Sequence, residues 1–358
     1  MGQPYVVIMA GGKGERLWPL STPARPKPFL QFGGQSFLQA AVEQVRPLVP
    51  LSRILVAANA AHVELVRAQL PELPAENILA EPEPKGTAAC LCLAAAVLQR
   101  ADPAAVLLAL PCDQLVEQRD AYRRLLAAGA EIAADGAFVL FGIPPGGPET
   151  GYGYIACAEA QEQAFRIARF VEKPDRETAE AMLDAGNSLW NSGLAAFRLD
   201  RFWEKVAACL PEYARLFRPL REAAGRPDPR AVNEVYQELA PCNIEVGLFE
   251  RIPADCLVLP APFTWLHVGD WGAIGGLLAA DADGNGVHAR HVGIDTTGSV
   301  IVSSDPDRVV ATIGLRDIVI VETPGALLVM DRQRAQETRR ILALLAEEAV
   351  PAGERSGS

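Results

Sequence analysis

Five short apolar runs, spaced by stretches of helical pattern, fill the first 140 residues. They are YVVIMA at 5–10, RILVAA at 53–58, NILAEP at 77–82, AVLLALP at 105–111 and AFVLFGI at 137–143. Continuous runs of this length are what strands buried on both faces look like, and helices between them cover those faces. The predicted helices lie at 36–49 (capped by Ser36), near 60–70, at 87–100 and at 117–134. The pattern predicts a doubly wound α/β sheet that is mixed but mainly parallel. Ligands of such sheets gather beyond the carboxyl ends of the strands, so the residues just after 10, 81 and 111 are the first candidates.

Beyond residue 150 the pattern is mixed. Strands are expected at 153–157, 164–172 and 193–199, and helices near 175–186, 200–208, 229–239 and 271–280. After the turn-rich DADGNG at 281–286, short β-branched runs fill 287–330 with no helical signal, and Asp331 is placed to cap a last amphipathic helix. The division expected is an α/β domain over 1–284 and a small all-β coil over 285–358, closed by a helix and ending in a loose tail.

Half of the 358 residues are apolar and 22% are charged, which is ample for a core and excludes a disordered chain. The 33 basic and 44 acidic side chains leave a net charge of −11, so no nucleic-acid or anionic-membrane partner is expected. The amino-terminal run at 5–10 is too short for a signal peptide, and no apolar stretch reaches the roughly 18 residues of a membrane span. The seven cysteines are scattered without a C-x-x-C, which argues against a zinc site or disulfide framework and for reduced core thiols in a cytoplasmic protein.

An acidic chain that handles anions must gather its cations locally. The segment AGGKGERL at 10–17 directly follows the first strand, where glycines let backbone N–H groups approach phosphate. It is not a Walker loop, and Leu17 stands where a dinucleotide fingerprint needs its third glycine. Lys13, Arg16, Arg25 and Lys27 fall within fifteen residues, a density that suits a polyphosphate. Of the 33 basic residues only five are lysines, and Lys13, Lys27, Lys85 and Lys173 all lie in such segments, where a compact charge suits phosphate. Asp113 ends the fourth strand, either to hold Mg²⁺ against phosphate or to cap the next helix. Glu172 and Asn191 can take sugar hydroxyls, Lys173 can pair with a phosphate, and Gly151 and Gly153 offer backbone close to a ligand. Read singly, EKP at 172–174 and NSG at 191–193 are equally turns.

Taken in order, AGGKGERLWPLS, PKPFL, EPEPKGTAA, PCD, GYGYI, VEKPD, WNSG, NIEVGLFE and FTWLHVGDW resemble the bacterial mannose-1-phosphate guanylyltransferases, a branch of the sugar-phosphate nucleotidyltransferases, over about residues 5–345. The resemblance implies a glycosyltransferase-A-like α/β domain followed by a short left-handed β-helix-like domain. It implies that GTP and mannose 1-phosphate give GDP-mannose and pyrophosphate, with Mg²⁺ as cofactor. Gly11, Gly12 and Gly14 would cradle the nucleotide, and Arg16 and Lys27 would hold the departing phosphates. Glu81 and Thr87 would lie near base and ribose. Asp113 would bind the metal. Gly153, Glu172 and Asn191 would hold mannose, and Lys173 its phosphate. A homodimer is expected, because the Val/Ile runs of the tail would otherwise leave unpaired edges.

Four segments depart from the family pattern. Pro28 replaces a usual Gln. Lys85 and Gly86 replace Arg and Asn. Asn243 and Glu245 alter a Ser-Ile-Asp segment. His267 stands where a second metal-binding Asp is usual, with Asp270 three residues on. The metal's second ligand is therefore His267, Asp270 or neither, since imidazole suits transition metals better than Mg²⁺. The departures leave two alternatives: a related transferase with another nucleotide or sugar 1-phosphate, or a catalytically silent regulatory subunit that binds nucleotide sugar.

Overall fold

The computed structural model describes residues 2–349 except 13, 33, 101 and 224–226; Lys13 and the expected tail lie outside the described residues. The chain packs as two compact bodies. The first is Met1–Gly11, Leu38–Cys112 and Val116–Trp265; the second is Gly12–Phe37, Asp113–Leu115 and Leu266–Ser358.

The first body is built on one nine-stranded sheet. Its strands are β1 (Tyr5–Met9), β2 (Ile54–Asn59), β3 (Ile78–Glu81), β4 (Val106–Pro111), β5 (Phe138–Ile143), β6 (Tyr154–Gln161), β7 (Ala164–Val171), β8 (Ser188–Arg198) and β9 (Cys256–Pro260), in the order β3-β2-β1-β4-β8-β5-β9-β7-β6. The first four are parallel, with Val6 level with Ile54 and Leu108, and Val56 with Ile78. Strand β8 runs antiparallel to both β4 and β5, and β9 returns parallel to β5. The helix Thr87–Gln99 is buried nearly all round, as its Ala/Leu/Cys composition allows. The helices Leu199–Cys209, Pro211–Glu222 and Pro229–Glu238 pack with it around Phe197, Phe202, Trp203 and Phe217.

Local signals misplace some boundaries. The first long helix is Phe37–Val45 and stops before Pro47, whose ring disfavours helical backbone at Arg46, so it does not reach residue 49. The five-residue strand β9 and the helix Pro211–Glu222 were not foreseen. The strand is short and bounded by Pro253 and Pro260, and the helix carries Pro219 in its interior.

In the second body, β10 (Gly286–His288), β12 (Val300–Ser303) and β14 (Ile318–Thr323) stack as parallel rungs, closed by antiparallel β15 (Ala326–Asp331). A second parallel pair, β11 (Arg290–Ile294) and β13 (Val309–Ile313), forms another face. Asp331 does not open the last helix directly: it ends β15 and caps a 3-10 segment, Arg332–Glu337, ahead of the helix Thr338–Ala349. The inward residues Val300, Val302, Val319 and Val321 are fully buried, and they share a core with Leu17, Leu30, Phe37, Val268, Trp271 and Ile274. The Trp271 indole also donates to the Trp18 carbonyl at 2.9 Å. Each such apolar side chain contributes roughly 1.5–3 kcal/mol on burial, so the glycine loop is fastened through Leu17 as well as through its backbone.

None of the seven cysteines is in a disulfide, and Cys90, Cys92, Cys112 and Cys256 are buried. No helix among the described residues is long and apolar enough to cross a membrane.

Candidate active site

In the second body the glycine loop folds against the segment carrying Lys27. Gly14 has φ +68°, and a Cβ there would lie 2.3 Å from the Lys27 Cβ, so this position admits only glycine. Lys27 is 6% exposed. Its ammonium donates to Asp113 Oδ2 at 2.6 Å, and the His267 Nε2 lies 3.3 Å from the same oxygen. Burial pushes the Asp113 carboxyl up, but the charges and hydrogen bonds of Lys27 and His267 outweigh it and hold the group well below the usual carboxylate range. Arg16 donates to Gln336 Oε1 at 2.8 Å, and the Gln336 amide donates in turn to Asp270 Oδ2. The other Asp270 oxygen accepts from the Ala273 N–H at 3.1 Å and caps the helix Trp271–Leu277. Both Asp270 oxygens are thus engaged. Gln336 is a partner of Arg16 that sequence reasoning missed, since 320 residues separate the two.

A divalent cation is implied by the resemblance, and the donor set can be tested for it. Among the described residues no group of three His, Cys, Asp or Glu side chains is arranged to hold a metal. Among the described residues the side-chain contacts of Asp113 fall on Oδ2, and Oδ1 would serve as a ligand. One carboxylate oxygen fits Mg²⁺, which keeps several waters and takes the rest of its ligands from phosphates.

Three further groups lie in the first body. Gly11 and Glu81 follow β1 and end β3. Glu81 is 6% exposed and accepts from the Tyr236 hydroxyl at 3.0 Å, and a Cβ on Gly11 would stand 3.3 Å from its other oxygen. Burial raises the Glu81 carboxyl to about 7, against the opposing hydrogen bond from Tyr236. Because the folded protein holds this proton more tightly than the unfolded chain, its stabilising effect is complete below pH 4.5 and is lost as pH rises through about 7. Relative to Glu81→Gln, the wild type is expected to lose up to about 3 kcal/mol between pH 5 and pH 8.5, read from urea denaturation. A difference that stays flat over that range would contradict the assignment.

The Lys85–Gly86 and Asn243–Glu245 departures meet in space. Gly86 has φ +86°, and a Cβ there would come within 2.4 Å of the Cys242 carbonyl oxygen. The Cys242 N–H donates to the Lys85 carbonyl at 2.9 Å. The Thr87 hydroxyl accepts from the Ile244 N–H at 2.7 Å and donates to Glu245 Oε2 at 3.1 Å. Burial and the nearby Glu172 charge raise the Glu245 carboxyl above its ordinary value. An Asn at 86 does not fit this backbone, which accounts for the departure there.

Gly153, Glu172, Lys173 and Asn191 come together. A Cβ on Gly153 would stand 2.6 Å from Glu172 Oε2 and 3.3 Å from the Asn191 Cβ. The Asn191 N–H donates to the Gly153 carbonyl at 2.7 Å, and Glu172 pairs with the ammonium of Lys173. Lys173 takes φ +47°, rare for a side-chain-bearing residue, and the turn is tied by the Glu172 N–H donating to Glu250 Oε1 at 2.7 Å. Tyr152 packs edge-on to both Trp190 and Trp265, at 5.1 and 5.3 Å. Glu250 and this aromatic trio were not singled out from the sequence, where nothing marks their proximity.

The nucleotidyl transferase family model matches residues 5–282, and that of the MannoseP isomerase/GMP-like beta-helix domain matches residues 289–345. The chain is 34% identical over 348 residues to a mannose-1-phosphate guanylyltransferase of Klebsiella pneumoniae, covering 95% of this chain and 73% of that protein. The chain belongs to the mannose-1-phosphate guanylyltransferase family. The xanthan biosynthesis protein XanB of Xanthomonas campestris is also 34% identical, over 96% of this chain and 73% of its own length. A crystal structure from Thermus thermophilus, described as a mannose-1-phosphate geranyltransferase, superposes with a TM-score of 0.86 at 33% identity, covering 96% of this chain and all of that one. The guanylyltransferase fold expected from the motifs, a nucleotidyltransferase α/β region with a β-helix-like carboxyl end, is the fold observed.

Proposed function

We propose that this chain transfers GMP from GTP to mannose 1-phosphate, releasing pyrophosphate and forming GDP-mannose. The observation that carries this reading is the buried Lys27 ammonium, 2.6 Å from Asp113 and backed by Gly14, in a chain of net charge −11. Two phosphate anions about 4 Å apart repel by about 4 kcal/mol per unit-charge pair at an effective dielectric of 20, so local cations decide whether they can meet.

A phosphate oxygen of mannose 1-phosphate attacks the α-phosphorus of GTP in line. The new P–O bond forms as the bond to the β-phosphate oxygen breaks, and pyrophosphate leaves with that electron pair. The nucleophile is already ionised at neutral pH, so no general base is required. Arg16 and Lys27 neutralise the leaving group, and Gly11, Gly12 and Gly14 bring backbone to the nucleotide. Glu81 and Thr87 take the base and ribose. Gly153, Glu172 and Asn191 hold the sugar, and Lys173 aims its phosphate. Positioning and electrostatics supply the acceleration. Asp113, with His267 or Asp270 beside it, would hold Mg²⁺, which would supply further positive charge against the phosphates.

A panel of nucleoside triphosphates and sugar 1-phosphates, read by pyrophosphate release, tests the reading. GTP with mannose 1-phosphate is expected to give the highest kcat/KM. The Lys85–Gly86–Glu245 cluster favours one second reading, a changed base or sugar, and a different best pair would establish it. Binding without turnover for every pair would instead identify a silent regulatory subunit. Lys173→Ala is expected to raise the KM for the sugar phosphate and leave that for GTP unchanged; a rise confined to GTP would reverse the assignment.

The boundary between the two domains is proposed at 284–285, supported by family matches that stop at 282 and resume at 289. A cytoplasmic homodimer is the expected state. Seven cysteines, none of them in a disulfide, support the compartment. The exposed Val292, Ile294 and Ile313 of β11 and β13 support self-association. A monomer mass by light scattering at micromolar concentration would remove the dimer.

A further inference from the structure

A cavity of about 600 Å³ lies within the second body, lined by residues of the segments 20–32 and 288–306 but by neither Lys27 nor Asp113. Its polar wall carries Arg25, His288 and Arg290. Among the described residues neither guanidinium has an ion-pair or side-chain hydrogen-bond partner, and the His288 ring lies 6.0 Å from the Phe32 ring. The acids on the adjoining turn are already compensated: Arg308 lies 3.9 Å from Asp305 and 3.3 Å from Glu322, and Glu322 also accepts from Ser303 at 2.6 Å. Leu20, Leu30, Phe32, Val302 and Pro306 give the lining an apolar wall, with Phe32 and Val302 next to His288. Small-molecule sites are concave clefts of roughly 300–1,000 Å³ with mostly apolar walls and a few convergent polar groups, and this cavity has that make-up.

We infer that this cavity is a second ligand site, which takes a phosphorylated organic anion of nucleotide size. Its phosphate or diphosphate lies on Arg25 and Arg290 beside the His288 imidazole. Guanidinium forks suit phosphate oxygens, and being weakly hydrated they lose little on leaving water. The organic part covers the apolar wall, which separates this class from free inorganic phosphate. Arg25 and Leu30 flank the Lys27–Phe29 turn, so the occupant contacts the chain on both sides of Lys27.

The chain has only four histidines, His62, His267, His288 and His291, so histidine resonances give a site-specific reading. Full-length protein labelled with ¹³C-histidine is titrated with GDP and, separately, with inorganic phosphate, with His288→Gln to assign the signal. The His288 resonance is expected to shift saturably with both, the GDP midpoint at least about tenfold lower because of the apolar wall. Arg290→Ala is expected to raise both midpoints at least about tenfold, and Arg290→Lys to raise them less. No His288 shift with either ligand, or an Arg290→Ala titration matching wild type, overturns the site. Equal midpoints for GDP and phosphate overturn its organic character. His267, beside Asp113, reports separately on binding there, so loss of the proposed activity and loss of this site are read apart.

Discussion

Replacing Lys27 by alanine is expected to lower turnover at least about a hundredfold, the size of effect seen when a preorganised donor to developing charge is removed. The same change strands the Asp113 carboxylate. Breaking a fully buried ion pair costs about 3–5 kcal/mol, and with a quarter of the Asp113 side chain exposed the expected loss of stability is nearer 2 kcal/mol. The two consequences separate in the double variant. Adding Asp113→Asn removes the unpaired charge, so urea denaturation should recover most of the lost stability. Pyrophosphate release should not recover, because neither cation binding at Asp113 nor neutralisation by Lys27 is restored. A Lys27→Ala protein within tenfold of wild-type turnover would show that this ammonium serves the fold alone.

Gly14→Ala carries the second large effect, and Gly314 provides its control. The two glycines have almost the same φ, +68° and +69°, but nothing lies within 4 Å of a Cβ at 314. Gly314→Ala therefore reports the left-handed backbone penalty alone, of order 1 kcal/mol. At 14 the added carbon meets the Lys27 Cβ at 2.3 Å and the Ser21 hydroxyl at 2.8 Å, so the loop or the Lys27 segment must move. The excess loss for Gly14→Ala over Gly314→Ala is expected to be at least about 2 kcal/mol, with turnover falling as steeply as for Lys27→Ala. Equal losses in the two variants would mean that the loop yields without cost.

Much of this was readable beforehand, for physical reasons that differ by element. The strands β1 to β5 are buried over most of their length and read as short apolar runs. The glycine loop announces itself because φ > 0 and close approach to a ligand both demand glycine. Gly153 beside Glu172 and Asn191 follows the same logic. What stayed hidden depends on contacts between distant segments. Gln336 reaches Arg16, Glu250 holds the Glu172 N–H, and Gly86 meets the Cys242 carbonyl, and none of these pairs leaves a local pattern. Strand β9 was hidden for another reason. Five residues, the last of them a proline, give too short a run to distinguish a strand from a loop.

Leu17, Leu30 and Phe37 of the glycine-loop region are buried in the same cluster as Val300, Val302, Val319 and Val321 of the coil. The point at which one sequence family gives way to the next is therefore not a place where the polypeptide can be cut. A fragment ending at 284 would keep every residue of the phosphate loop and lose the scaffold that shapes it, so trimming a protein of this kind to a minimal catalyst would dismantle the part it set out to keep.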